Sequence, residues 1–261
     1  MASDLPEEQR RVKERVLEQR GFWSSLFDEL LFFQPQFVER YATLSAHPGD
    51  ALERRLKELL HIAVDCNTTH LYHRGTRVHI QNALEHGATP DEIVEVIVLT
   101  STIGLHDVAS GAAILEDVTG SDRPDTSELQ ADLEDRLGFW TDSLDALLAR
   151  DPTHIEHYAN LLGVAWEEGP LSAAEKHLVL LATEIAPTRR NHEAARVHID
   201  AALEAGLSEA EVMAAIETAC VIGVHSVDTA PILAEEAARR GQLPDKLAAH
   251  PENVTFRDPR Y

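Results

Sequence analysis

Cysteine, lysine, aromatic side chains and long apolar runs are all scarce in this 261-residue chain, and each scarcity removes a class of function. Cys66 and Cys220, the two cysteines, cannot build a disulfide framework or a paired-cysteine metal knot. They are expected as buried small hydrophobes rather than reactive thiols. Four lysines against a formal charge of −22 leave no clustered basic surface, so neither nucleic acid nor an anionic membrane is expected as a partner. No run approaches the ~20 apolar residues of a membrane span. Met1 to Arg20 is crowded with Glu, Gln and Arg where a secretory signal needs an apolar stretch. A soluble cytoplasmic protein is expected, with its acidity a solvated surface, and a hydrophobic fraction of 44% is ample for a core.

What the chain does have is a duplication. Residues 57–118 match residues 176–237 at a constant offset of 119, and such fixed-period similarity outranks other fold signals. Arg77-Val78-His79-Ile80 answers Arg196-Val197-His198-Ile199, Gly87 answers Gly206, and Ile103-Gly104 with His106 answers Ile222-Gly223 with His225. Upstream, Gly21-Phe22-Trp23 answers Gly138-Phe139-Trp140 and Tyr41-Ala42 answers Tyr158-Ala159 at an offset of 117. Two extra residues are therefore expected before Lys176, near Glu168-Gly169-Pro170. The pattern divides the chain into a first repeat (1–120), a second repeat (121–241) and a polar, proline-interrupted C-terminal arm (242–261), with the boundary in the turn-rich segment 119–126.

Helix starts are marked by a capping side chain three residues before a carboxylate: Asp50 with Glu53, Thr89 with Glu92, Ser172 with Glu175, and Ser208 with Glu211. Apolar residues three and four apart follow, as in Ile93, Val96, Ile97 and Thr100. Gly87 and Gly206 sit where the preceding helix should stop. With no alternating strand pattern, the fold class is all-α, two tandem helical repeats in a pseudo-symmetric bundle.

The runs Leu59-Leu60-His61-Ile62-Ala63-Val64 and His79-Ile80-Gln81-Asn82-Ala83-Leu84-Glu85-His86-Gly87, followed by the capped helix from Thr89, resemble the carboxymuconolactone decarboxylase family. The second copy repeats the resemblance through Leu180-Leu181-Ala182, His198, Ala202-Leu203, Gly206, Ser208 and Glu211. The resemblance implies an alkylhydroperoxidase D-like all-α bundle that assembles as a homo-oligomer, a trimer for tandem members. It implies no cofactor. The branch of the family with thiol peroxidase activity carries Cys-x-x-Cys ending four residues before the signature histidine; here those positions are Tyr72 and Gly75, then Asn191 and Ala194. Neither pair can form a thiolate or a disulfide. A further branch with glutamate at the second position is also excluded, which leaves cofactor-free proton transfer on a small carboxylate or lactone as the implied chemistry, a lyase or an isomerase.

His79 and His198 are the leading catalytic residues, since imidazole titrates near neutral pH and can give or take a proton at carbon. His106 and His225 are expected to complete each site from across the bundle or to cap a helix. Glu58, answered by His177, stands in the helix where the resemblance implies a proton-relay glutamate. Arg77 and Arg196 could orient a substrate carboxylate, although two residues is about 200° of helix and puts them off the histidine face. His73 and His192 lie one turn from those arginines and join them as substrate-binding residues. No metal is expected; a metal-dependent oxygenase or hydrolase using the repeated histidines, with His73, His106 and Asp65 as a trio, is one alternative, and a non-catalytic scaffold or stress-related assembly module is another.

Overall fold

The computed structural model describes residues 5–47, 51–120, 125–166 and 169–249. No strand occurs among them. The helices are α1 (Glu7–Arg20), α2 (Leu30–Phe33), α3 (Pro35–Ala46), α4 (Arg54–Cys66), α5 (His73–Glu85), α6 (Pro90–Ser101), α7 (Gly104–Thr119), α8 (Ser127–Leu137), α9 (Asp142–Arg150), α10 (Pro152–Trp166), α11 (Ala173–Ile185), α12 (His192–Glu204), α13 (Glu209–Cys220), α14 (Ala230–Arg239) and α15 (Asp245–Ala248), with 3-10 turns at Ser25–Phe27 and Val221–Thr229.

The expected capping boxes form at Thr89, Ser172 and Ser208, each with its Glu reaching back to the cap. Asp50 lies outside the described residues, and α4 instead begins at Arg54 without a side-chain cap. Gly87 and Gly206 take left-handed φ angles of 92° and 97°, the conformation that costs glycine least. The boundary residues 121–124 and the segment 250–261 lie outside the described residues. Of the expected arm, residues 245–248 form a short helix whose Leu247 is buried and whose Lys246 pairs with Glu8 at 2.6 Å. Near the expected insertion, α10 runs to 15 residues where α3 has 12.

Two compact units are formed, and they do not follow the repeat boundary. One comprises residues 50–222, the other residues 1–49 with 223–261. In the latter, α1 packs on α3 around Val12, Val16, Phe27 and Val38. In residues 50–222 the centre is α4 against α11. Every residue of α11 from Lys176 to Glu184 is buried; a helix enclosed on all sides is a core helix, so any polar residue it carries is held in a low-dielectric interior. The pseudo-symmetry is visible in a single contact: Thr69 Oγ1 meets Thr188 Oγ1 at 3.1 Å, and 188 − 69 is the repeat offset. A residue touching its own equivalent is the mark of an isologous, two-fold contact. Arg55 reinforces the seam by pairing with both Glu92 and Glu175.

Two stretches, 90–119 and 209–239, are long and apolar enough by length and composition to cross a membrane, which corrects the reading that none approaches that length. The first is α6 and α7 end to end, and 56% of its apolar window is buried inside the protein; a core helix passes the same test.

Candidate functional site

Each central helix carries a polar stripe inward. On α4, Glu58, His61 and Asp65 are spaced i, i+3, i+7 and so share one face. The facing surface of α5 presents Gly75, His79 and Asn82, again at helical spacing. Between these faces His79 Nδ1 meets Glu58 Oε2 at 2.6 Å, Asn82 Nδ2 donates to the same oxygen at 3.4 Å, and Arg54 pairs with Glu58 Oε1 at 2.8 Å. The His61 ring stacks on His79 with centroids 4.3 Å apart. Glu58 is 2% exposed. Burial alone would raise its carboxyl, but the hydrogen bond and charge of His79, the charge of Arg54 and the Asn82 amide outweigh burial and hold it below the usual carboxylate range. Glu58 is thus an anion that takes Nδ1 of His79 and leaves Nε2 directed elsewhere.

Nε2 lies 4.0 Å from Asp65 Oδ2, and Asp65 Oδ1 lies 3.9 Å from His70 Nε2. The Asp65 carboxyl is pushed up to about 8 by burial. It is held by a repeated turn: Leu71 and Arg190, equivalent positions, both take left-handed φ values of 48° and 59°, which costs a residue with a side chain roughly 1–2 kcal/mol. In return the next residue folds back, so that Tyr72 N donates to Asp65 O at 2.8 Å and Asn191 N to Glu184 O at 2.9 Å.

The second copy keeps the backbone and changes the chemistry. His177 stands at the Glu58 position, with its Nδ1 3.2 Å from His198 Nδ1. His198 is fully buried; burial first, then the neighbouring His106 and His177, hold it well below the usual imidazole range. Burial likewise pushes His106 and His177 down to about 4. Phe139 packs edge-on to His198 at 4.9 Å, and Trp166 edge-on to His177 at 5.0 Å. Glu184, answering Asp65, is claimed by Arg189 at 2.5 Å, and Arg189 also binds Asp107 and the carbonyl of Ile103. Burial raises the Glu184 carboxyl to about 7, although the hydrogen bond and charge of Arg189 pull it down. The result is a cluster of neutral imidazoles beside a separate ion pair.

Glu58 and His79 therefore come together. His106 is on α7 and buried, but it faces the histidine of the other repeat, 5.8 Å from His198 between centroids. His225 falls in the unit formed by residues 1–49 and 223–261. Arg77, Arg196, His73 and His192 are all exposed, on helix positions outside the buried histidine face, and the structure does not bring them to the Glu58–His79 pair. The guanidinium at the first site is that of Arg54. His73, His106 and Asp65 do not bring ligand atoms within 4.8 Å of one another, so that trio is no metal site. Of the cysteines, Cys220 is exposed rather than buried, and Cys66 is half-buried with its thiol pushed up to about 11 by burial and by the Asp65 charge, far from thiolate formation. Arg54, His61, Asn82 and Arg189 were missed from the sequence; the i, i+4 pairing of Arg54 with Glu58 is the one signal that pointed to any of them.

The profile of the carboxymuconolactone decarboxylase family matches residues 35–116 and 152–247, one segment in each repeat. The chain belongs to the carboxymuconolactone decarboxylase family. Among solved structures, a Burkholderia xenovorans LB400 protein described as a "putative gamma-carboxymuconolactone decarboxylase subunit" is 30% identical, with a TM-score of 0.83 over 90% of this chain and 99% of that one. No curated protein matches. Within this family member, the two family segments contribute unequal sites: a carboxylate-oriented imidazole in the first, imidazoles alone in the second.

Proposed function

We propose that the protein is a cofactor-independent lyase or isomerase that acts on a small lactone or keto acid, a carboxymuconolactone or a relative of it, at the first repeat. The observation that carries the reading is the 2.6 Å contact of buried Glu58 with His79 Nδ1. A carboxylate in this position fixes tautomer and ring orientation and stabilises the imidazolium, so that Nε2 can deliver and recover a proton. For a decarboxylation the substrate C–C bond to its carboxylate breaks, CO2 leaves, the electron pair stays on the substrate, and His79 places a proton on carbon and regains one from water. For an isomerisation the same nitrogen removes a proton from one carbon and returns it to another. Arg54, which also holds Glu58, supplies the positive charge nearest the dyad, suited to drawing in an anionic acid.

His198 lacks a carboxylate partner and is held neutral by burial, so the second repeat is assigned no proton transfer. In an assay of CO2 release or double-bond shift on carboxylated lactones, His79→Gln is expected to lower kcat by about 10²- to 10⁴-fold, and Glu58→Gln by about 10²-fold. His198→Gln should leave kcat within a factor of about three. Full activity in His79→Gln would overturn the assignment. Assembly as a homotrimer belongs to the same proposal, supported by the exposed apolar side chains Ile114, Leu115 and Val118 of α7, and light scattering tests it.

A further inference from the structure

We infer that His61 is a positioning residue of the first site: its ring lies flat against His79 and fixes the plane of that imidazole, and with it the direction in which Nε2 delivers a proton. The inference rests on the function proposed above and adds to it a residue that acts through His79 without touching substrate.

One hydrogen bond does not hold a ring. The 2.6 Å contact of Glu58 Oε2 with Nδ1 fixes one atom at the edge of the His79 imidazole and leaves the ring able to tilt about the N···O line, which re-aims Nε2. Proton transfer depends on that aim, because a reacting group a little out of line loses much of the advantage of being held close. His61 supplies the restraint that the carboxylate cannot. It follows Glu58 by one helical turn on α4 and shares its face, and its ring centroid lies 4.3 Å from that of His79 with the two planes 19° apart. Glu58 thus meets the edge of the imidazole and His61 its flat side, both from one rigid helix. A tilt of the His79 ring would drive its edge into the His61 ring and lose the dispersion contact across the stack.

The second repeat provides the comparison. Leu180 answers His61 and is 3% exposed. The rings that touch His198 are tilted or edge-on: Phe139 meets it at 75°, His106 at 82° and His177 at 40°. The carboxylate at Nδ1 and the parallel ring are therefore replaced together, Glu58 by His177 and His61 by Leu180, in the copy to which no proton transfer is assigned. Were position 61 required only to fill space, leucine would serve, and the fold accepts one at Leu180. A half-buried site also suits an imidazole, whose face can be covered while its polar edge stays wet.

The test compares His61→Phe, which keeps a flat ring over His79, with His61→Leu, which installs the residue of the second repeat and removes the plane. On carboxylated lactones, His61→Leu is expected to lose about 10- to 100-fold in kcat and His61→Phe to stay within about threefold of wild type, with KM changed far less than kcat in both. Undiminished kcat in His61→Leu overturns the inference. Equal loss in both variants overturns it too, because the reaction would then use the imidazole of His61 and not its plane. Nuclear magnetic resonance of the substrate-free full-length protein is the second reading. The His79 ring protons are expected upfield in the wild type and in His61→Phe, under the ring current of the stacked neighbour, and to lose that displacement in His61→Leu. Its absence from the wild type overturns the inference while leaving the Glu58–His79 dyad standing. A wild-type protein that turns over no carboxylated lactone or keto acid overturns the proposed function, and this inference with it.

Discussion

Asp65→Asn should make the protein more stable at neutral pH and no more stable in acid. The unfolded chain releases the Asp65 proton near its ordinary value of 3.8, whereas the folded protein releases it only at about 8. Between those values the unfolded state binds fewer protons than the folded state, so stability falls as pH rises, by about 1.4 kcal/mol per pH unit. Over the interval from 3.8 to pH 7 the cost accumulates to about 4 kcal/mol; above about pH 8 it no longer grows. The residue is 1% exposed, so solvent screening takes little from this figure. Asparagine fills the same volume and has no proton to release, which removes the slope. Urea denaturation of wild type and variant at equal protomer concentration, from pH 5 to pH 8, reads the contribution, since titrating groups remote from Asp65 cancel in the difference. The gain is expected to be between 1 and 2 kcal/mol at pH 5 and about 4 kcal/mol at pH 7. A gain below about 1 kcal/mol at pH 7, or one that does not change with pH, would refute the reasoning.

The remaining expectations concern the second repeat. Arg189→Ala strands the fully buried Glu184 carboxylate and should cost about 3–5 kcal/mol, with most of the loss recovered in the Glu184→Gln/Arg189→Ala double variant, both read by urea denaturation. His106 and His177 accept protons in the unfolded chain near 6.5 but in the folded protein only at about 4. The unfolded state therefore binds more protons in that window, and stability should fall as pH drops from about 6.5 to about 4, each histidine adding about 1.4 kcal/mol per pH unit. His177→Leu should flatten this acid limb by one proton's worth, and an unchanged slope would count against it.

The helices and their ends were legible in the sequence because the cues are local. A cap and its carboxylate three residues on, or a glycine at a helix stop, need no partner from elsewhere. The pairing of Glu58 with His79 was half legible. Both residues stand out, but separately, because the 20 residues between them contain the turn at Leu71 that decides which faces meet. The arginine beside Glu58 was hard to read for a related reason. Arg77 is close to His79 in sequence, yet helix geometry sends it to solvent, while Arg54 reaches Glu58 from one turn earlier on the other helix. Asp65 and Glu184 could be seen as matched acids. Their different partners are His70 and Arg189, whose equivalence becomes meaningful once the turn brings each onto its acid.

Laid over one another, the repeats show a relocation of charge rather than a simple loss. Each encloses one guanidinium–carboxylate pair and one signature imidazole. In the first, the pair is Arg54 with Glu58, at the start of the polar face of α4 and in contact with His79. In the second, the pair is Arg189 with Glu184, at the equivalent of Asp65, two helical turns further along. Seven residues of helix is about 10 Å, so moving the ion pair that far takes the anion from Nδ1 of the imidazole and leaves His198 with another neutral imidazole for company. The substitutions that accomplish this are concerted: Arg54 becomes Ala173, Glu58 becomes His177, Asn82 becomes Ala201 and His70 becomes Arg189. Losing Arg54 alone would take one cation from the buried Glu58 carboxylate, and losing Glu58 alone would take the anion from His79. The second cluster is therefore a stable alternative arrangement of the same fold, with its carboxylate neutralised and its histidines uncharged, and the first is the one whose charges are arranged around a proton-bearing nitrogen.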